Sequence, residues 1–147
     1  MTDKALGLLL FQVSRAHHNL ASQVFEQLGL HRGQPPVLFE LGRQDGITQS
    51  ELAERMEVRP ATLTNMLQRM EAAGFITRCR DQADSRVSRV YLTQAGKDVL
   101  VRARELANGM DHTAFAGFSS AEKGQIKDFL ERIHASLITA LEEQSRK

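Results

Sequence analysis

Six arginines fall between positions 59 and 89 of this 147-residue chain: Arg59, Arg69, Arg78, Arg80, Arg86 and Arg89. Three acids share the window, Glu71, Asp81 and Asp84, and no lysine does. The formal net charge of the whole chain is only +1, so the window is a local positive patch on a nearly neutral protein. A guanidinium offers a planar fork of donors that matches phosphate oxygens and the guanine edge. Such a confined basic patch is the electrostatic footprint expected of a protein that reads duplex DNA. Among these arginines lie Ala61, Thr62, Thr64, Asn65 and Gln68. Asn and Gln pair with adenine, Thr methyls meet thymine methyls, and Arg69 can reach guanine or phosphate. An ordinary exposed helix would more often carry Glu–Lys pairs. Here Glu71 is the only acid between Arg59 and Gly74.

Other chemistries find less support. Asp81 and Asp84 are close in sequence, but they sit among arginines on a polar stretch with no apparent pocket, which does not suit a carboxylate acid/base pair. Pointed outward they would repel phosphate, so at least one is expected to hold an arginine side chain in place. There is no glycine-rich phosphate loop, no nucleophile elbow and no HExxH, so no enzyme is predicted. His17, His18, His31, His112 and His134 include no i, i+4 pair, and there is no CxxC, so neither metal nor cofactor is predicted. Cys79 lies between Arg78 and Arg80, where positive charge could lower its pKa if it is exposed, but a structural role is the favoured reading. A single cysteine forms no internal disulfide, which fits a reducing, cytoplasmic setting.

The elements that must position these residues follow from periodicity. Thr48-Gln49-Ser50-Glu51 is a capping-box pattern that starts a short helix over 48–56. Glu57-Val58-Arg59 is a tight turn, and Pro60 suits the first position of a second helix, 60–73, with Leu63, Met66, Leu67 and Met70 as its apolar stripe. Two helices joined by so short a turn form a helix-turn-helix, whose second helix enters the major groove. The period then becomes extended. Residues 75–80 and 87–92 read as two strands around the polar loop 81–86, a hairpin with a charged tip. Arg86, at the end of that loop, is the candidate for insertion into a minor groove, whose negative potential attracts arginine. Arg78, Arg80 and Arg89 join it on the hairpin, while Thr48, Ser50, Arg78, Arg80 and helix N-termini are expected to meet phosphates.

Helices flank this centre. Leu6, Leu9, Leu10, Val13, Leu20, Val24 and Leu28 recur at helical spacing before Gly29, and Pro35-Pro36 opens a helix with Val37, Leu38 and Leu41 on its apolar face. Thr93 caps a helix carrying Val99, Leu100, Ala103, Leu106, Ala107 and Met110. Ser119-Ser120-Ala121-Glu122 opens the last, whose expected buried face is Ile126, Phe129, Leu130, Ile133, Leu137, Ile138 and Leu141. This is more apolar face than a centre of about 60 residues needs, so a homodimer is predicted to cover the surplus. The fold class is mainly α with a small β-hairpin wing: residues 1–30 and 93–147 form a helical dimerisation region around a winged helix-turn-helix lobe at 31–92. The composition, 41% hydrophobic and 25% charged, is that of a soluble globular protein. The apolar run Leu8-Leu9-Leu10-Phe11 is far shorter than a membrane span, and no signal peptide is predicted.

From Ile47 to Gly96 the chain resembles the MarR family of bacterial regulators. Ile47-Thr48-Gln49-Ser50-Glu51-Leu52-Ala53 is similar to its helix before the turn, and Arg59-Pro60-Ala61-Thr62-Leu63-Thr64 through Arg69-Met70-Glu71 to its recognition helix. Gly74-Phe75-Ile76 resembles the entry to its wing. Asp81, Asp84 and Arg86, followed by Val90, Leu92, Thr93 and Gly96, resemble its wing signature. The resemblance implies a dimer of the first and last two helices and a palindromic or near-palindromic operator. It also implies a repressor released by a small lipophilic or phenolic compound. The family's effector pocket, where dimer helices meet the DNA-binding lobe, implies His17, Leu20, Phe39 and Arg43 as candidates. Asn65 stands where many members carry Arg, so base preference is not carried over. A nonspecific architectural DNA binder and a winged-helix protein-interaction dimer are the competing readings.

Overall fold

The computed structural model describes residues 1–147. The elements run α1 (Asp3–Glu26), α2 (Gln34–Arg43), α3 (Gln49–Met56), α4 (Pro60–Ala72), β1 (Ile76–Arg80), β2 (Ser88–Leu92), α5 (Gln94–Phe115) and α6 (Ser120–Ser145). Met1–Met110 forms one compact unit and Asp111–Lys147 a second.

Local chemistry accounts for the boundaries. The Thr2 hydroxyl accepts from the Ala5 N–H and caps α1. The Thr48 hydroxyl accepts from the Glu51 N–H at 3.2 Å, so the forward half of the expected capping box forms; the return bond from Glu51 does not. Both halves form at Ser119 and Glu122, which start α6. Pro35 and Pro36 occupy the opening turn of α2 and Pro60 that of α4, where their missing N–H groups cost nothing. Between α3 and α4 the chain reverses at Glu57, whose φ of 56° is left-handed.

The first unit is organised around α4. Leu63, Leu67 and Met70 are wholly buried, and they meet Leu38 and Leu41 of α2, Ile47, Leu52 of α3, Ile76 of β1 and Val90 of β2 in one core. Each such burial contributes roughly 1.5–3 kcal/mol. The strands pair antiparallel in the register Ile76↔Leu92 to Arg80↔Ser88. A bridge between Thr48 and Arg89 and the Val90 N–H to Ile47 carbonyl bond add 46–48 as a short third rung. The Asp45 carboxylate, accepting from the Leu92 N–H at 2.8 Å, pins the α2–α3 loop to that rung. The start of α5 is tied to the end of α4: the Thr93 hydroxyl donates to the Gly74 carbonyl and accepts from the Gly96 N–H. Gly96 is required there, because a Cβ would strike the Phe75 carbonyl oxygen.

No residue of α6 is buried, and Phe129, Leu130, Ile133, Leu137 and Leu141 are exposed along it. The α1 stripe is similar: Leu6, Leu9, Val13 and Leu20 are exposed, and only Phe25 of that helix is buried. No helix is long and apolar enough to cross a membrane.

Candidate nucleic-acid interface

Burying Leu63, Leu67 and Met70 fixes how α4 is turned. Its opposite face presents Ala61, Asn65 and Gln68, all exposed, with Thr62 and Arg69 on one flank and Thr64 on the other. Arg59 is exposed at the N-cap and forms no capping bond. Thr64 is half-buried and its hydroxyl is already used, donating to the Pro60 carbonyl at 3.0 Å and accepting from the Gln49 side-chain amide at 2.8 Å. Thr64 therefore joins α4 to α3. Gln49, absent from the sequence-derived set, is its partner. Thr48 and Ser50 lie at the start of α3, Ser50 exposed and Thr48 half-buried.

The wing is wired by its own carboxylates, as the placement of two acids among arginines foretold. The Asp84 carboxylate takes both Arg86 Nε and Nη2 at 3.1 Å, and also the Arg86 backbone N–H at 3.0 Å. The Arg86 side chain is nonetheless 89% exposed, so it is oriented without being covered. Asp81 accepts from the backbone N–H groups of Ala83 and Asp84, which closes the tip, and from Arg89 Nε at 2.6 Å. Arg89 also donates to the Gly46 carbonyl at 2.8 Å. Arg89 is thus a strut between the wing and the α2–α3 loop. Arg80 donates to the Ser85 carbonyl. Cys79 is exposed on β1.

Arg78 differs from its neighbours. Its backbone N–H and its guanidinium both donate to the Glu71 carboxylate, at 3.0 and 3.2 Å, and its side chain is only 23% exposed. Glu71 closes α4 and Arg78 lies mid-strand, so this pair braces the helix against the wing. Glu71 is the only acid on α4, but nothing in the sequence marks Arg78 as its partner. Hydrogen bonds from the arginines hold three carboxyls below their usual range, Glu71 through Arg78, Asp81 through Arg89 and Asp84 through Arg86. Asp81 in return raises Arg89.

The effector candidates are not gathered into one cavity. His17 and Leu20 are exposed on α1, Phe39 packs edge-on against Phe25 at 6.3 Å, and Arg43 pairs with Glu40 at 3.3 Å. Two clefts lie elsewhere in this unit, beside the flank of α4 that carries Thr62 and Arg69.

The sequence pattern of the MarR family matches residues 30–88, which include α2, α3, α4 and β1. The transcriptional regulator HosA of Escherichia coli is 36% identical over 97 residues, covering 66% of this chain and 71% of HosA. The chain belongs to the MarR family. A MarR protein is a DNA-binding transcriptional regulator and not an enzyme. An HTH-type transcriptional repressor of Mycobacterium tuberculosis is similar over a longer stretch, 26% identical over 131 residues, 89% of this chain and 94% of that protein. Among solved structures, a MepR–DNA complex from S. aureus superposes with a TM-score of 0.84 at 26% identity, over 92% of this chain and 98% of that one. The winged-helix class of this MarR chain is therefore that expected from its sequence.

Proposed function

We propose that this regulator acts as a homodimeric repressor that recognises a palindromic operator in duplex DNA. Residues 31–92 would read DNA, and 1–30 with 93–147 would dimerise. The observation that carries the reading is the pairing, in one lobe, of an exposed acid-poor α4 face with a wing whose Arg86 is aimed by Asp84 and left open to solvent. Ala61, Thr62, Asn65 and Gln68 would face base edges in the major groove, and Arg86 would enter the adjacent minor groove. Thr48, Ser50, Arg59, Arg69 and Arg80 would meet phosphates. Arg78, Arg89 and Thr64, assigned to DNA from sequence, support this surface through Glu71, Asp81 and Gln49. The repressor description of the M. tuberculosis relative and the DNA bound to MepR support the same reading. The exposed stripes of α1 and α6 support a second copy as their cover. A small lipophilic or phenolic effector, touching His17, Leu20, Phe39 and Arg43, would release the DNA.

Selection from a random duplex library, followed by sequencing, tests the proposal. An enriched inverted repeat with half-sites about one helical turn apart, roughly 34–36 Å, is the expected result. Retention of DNA without enrichment would favour an architectural binder, and no retention a protein-interaction dimer.

A further inference from the structure

We propose that the connector between α1 and α2 is a second clamp on the DNA backbone, in which Arg32 and His31 act with Arg69 to hold a phosphate on the flank of the recognition helix away from α3. The inference rests on the DNA reading above. An α-helix with its side chains is about 10–12 Å wide and the major groove about 12 Å, so both flanks of an inserted helix face a phosphate ridge. One flank of α4 is occupied by its own protein, through the Thr64–Gln49 hydrogen bond to α3. The other flank carries Thr62, Met66 and Arg69, and the connector is pressed against it: a Cβ on Gly33 would lie 2.7 Å from the Met66 Cε.

Two adjoining clefts of about 480 and 220 Å³ open along that flank, and His31, Gln34 and Arg69 line both. Arg32, Thr62, Asn65 and Met66 complete the smaller one. No acidic residue lines either cleft. Six of the chain's arginines and one lysine are engaged in ion pairs, and neither Arg32 nor Arg69 is among them. The connector holds a set shape: the Gln34 side-chain oxygen accepts from the His31 N–H at 3.0 Å, the Gln34 N–H donates back to the His31 carbonyl at 3.0 Å, and Gln34 is buried. Pro35 and Pro36 have no N–H to offer, so the side chains must supply the positive charge. The ligand is anionic. The DNA backbone is favoured over a small anion because Thr62 and Asn65 line the smaller cleft and also belong to the exposed surface of α4, so the cleft continues the reading face.

The test uses the full-length protein and the operator selected above. Binding is measured from low to moderate salt for wild type, Arg32→Ala and the His31→Ala/Arg32→Ala double variant, with thermal melts to confirm folding. Arg32→Ala should weaken binding roughly fivefold on every sequence near physiological salt, flatten the salt slope by about one, and leave the selected sequence unchanged. Ethylation interference should lose one phosphate per half-site. Folded variants with wild-type affinity and slope would overturn the inference, as would variants that bind DNA normally but lose affinity for benzoate or inorganic phosphate, which would make the cleft a small-anion site. A wild-type protein with no salt-dependent DNA affinity would overturn the DNA reading itself, and this clamp with it.

Discussion

Arg86 projects from the wing with 89% of its side chain in solvent, yet two hydrogen bonds from its guanidinium to Asp84 fix its direction. Preorganisation of this kind lowers the entropic cost of binding. Arg86→Ala should therefore weaken binding to all sequences and reduce the salt slope, while Asp84→Asn should weaken it less, both read from titrations at several salt concentrations. Gln68, exposed and unobstructed on α4, belongs to a different class. Gln68→Ala should relax base preference at one position, at about 1–3 kcal/mol for a lost base pairing, read by repeating the library selection. Protonation bears on the same residues. The folded protein depresses the carboxyls of Glu71, Asp81 and Asp84 through hydrogen bonds from Arg78, Arg89 and Arg86. A depressed carboxyl stabilises the fold above its unfolded pKa, about 4, and that stabilisation is lost as pH falls through the lower folded value. Wing amides such as those of Ala83 and Arg86 should keep their hydrogen-bonded NMR shifts from neutrality to about pH 4 and lose them only below it.

At the level of elements, the placement of α4, β1 and β2 was legible because each has a clean period and clear punctuation: Pro60 before α4, Gly74 after it, and alternation through Val90 and Leu92. The links between elements were not. The sequence shows Thr64 in a polar run, and it does not show that position 64 falls on the flank that meets α3. Arg78 and Arg89 were read with the other arginines because charge is visible in sequence and pairing is not. The return half of the Thr48 box could not be foreseen, since Glu51 fits the pattern whether or not its side chain turns back. The Glu71–Arg78 brace gives a direct prediction: Glu71→Gln should leave α4 folded but loosen the wing, so hydroxyl-radical protection in the minor groove should fade before the bases selected by α4 change. The junction behind the wing is less forgiving. Gly96→Ala would drive a methyl into the Phe75 carbonyl and should cost about 1–3 kcal/mol, seen as a lower melting temperature.

Taken as a whole molecule, the chain leaves two long helices with apolar side chains in water. Leu6, Leu9 and Val13 on α1, and Leu130, Ile133 and Leu137 on α6, are exposed although their spacing is that of buried stripes. Sequence periodicity registered that these faces want cover, and the small size of the central lobe pointed to a second copy as that cover. Oligomeric state is the quantity that decides. Leu130→Glu with Leu137→Glu should shift the protein from dimer to monomer in sedimentation equilibrium. On the proposed dimeric reading two half-sites would then no longer be engaged together, and operator affinity should fall far more than for any single change on α4.

The division of labour within α4 also bears on how such a protein changes over generations. Leu63, Leu67 and Met70 carry the fold, while Ala61, Asn65 and Gln68 stand outside the core. Under the proposed reading, substitutions at the outer positions would alter which promoter is recognised at little cost to stability. A duplicated copy could acquire a new target gene through one or two codon changes, with its architecture already complete.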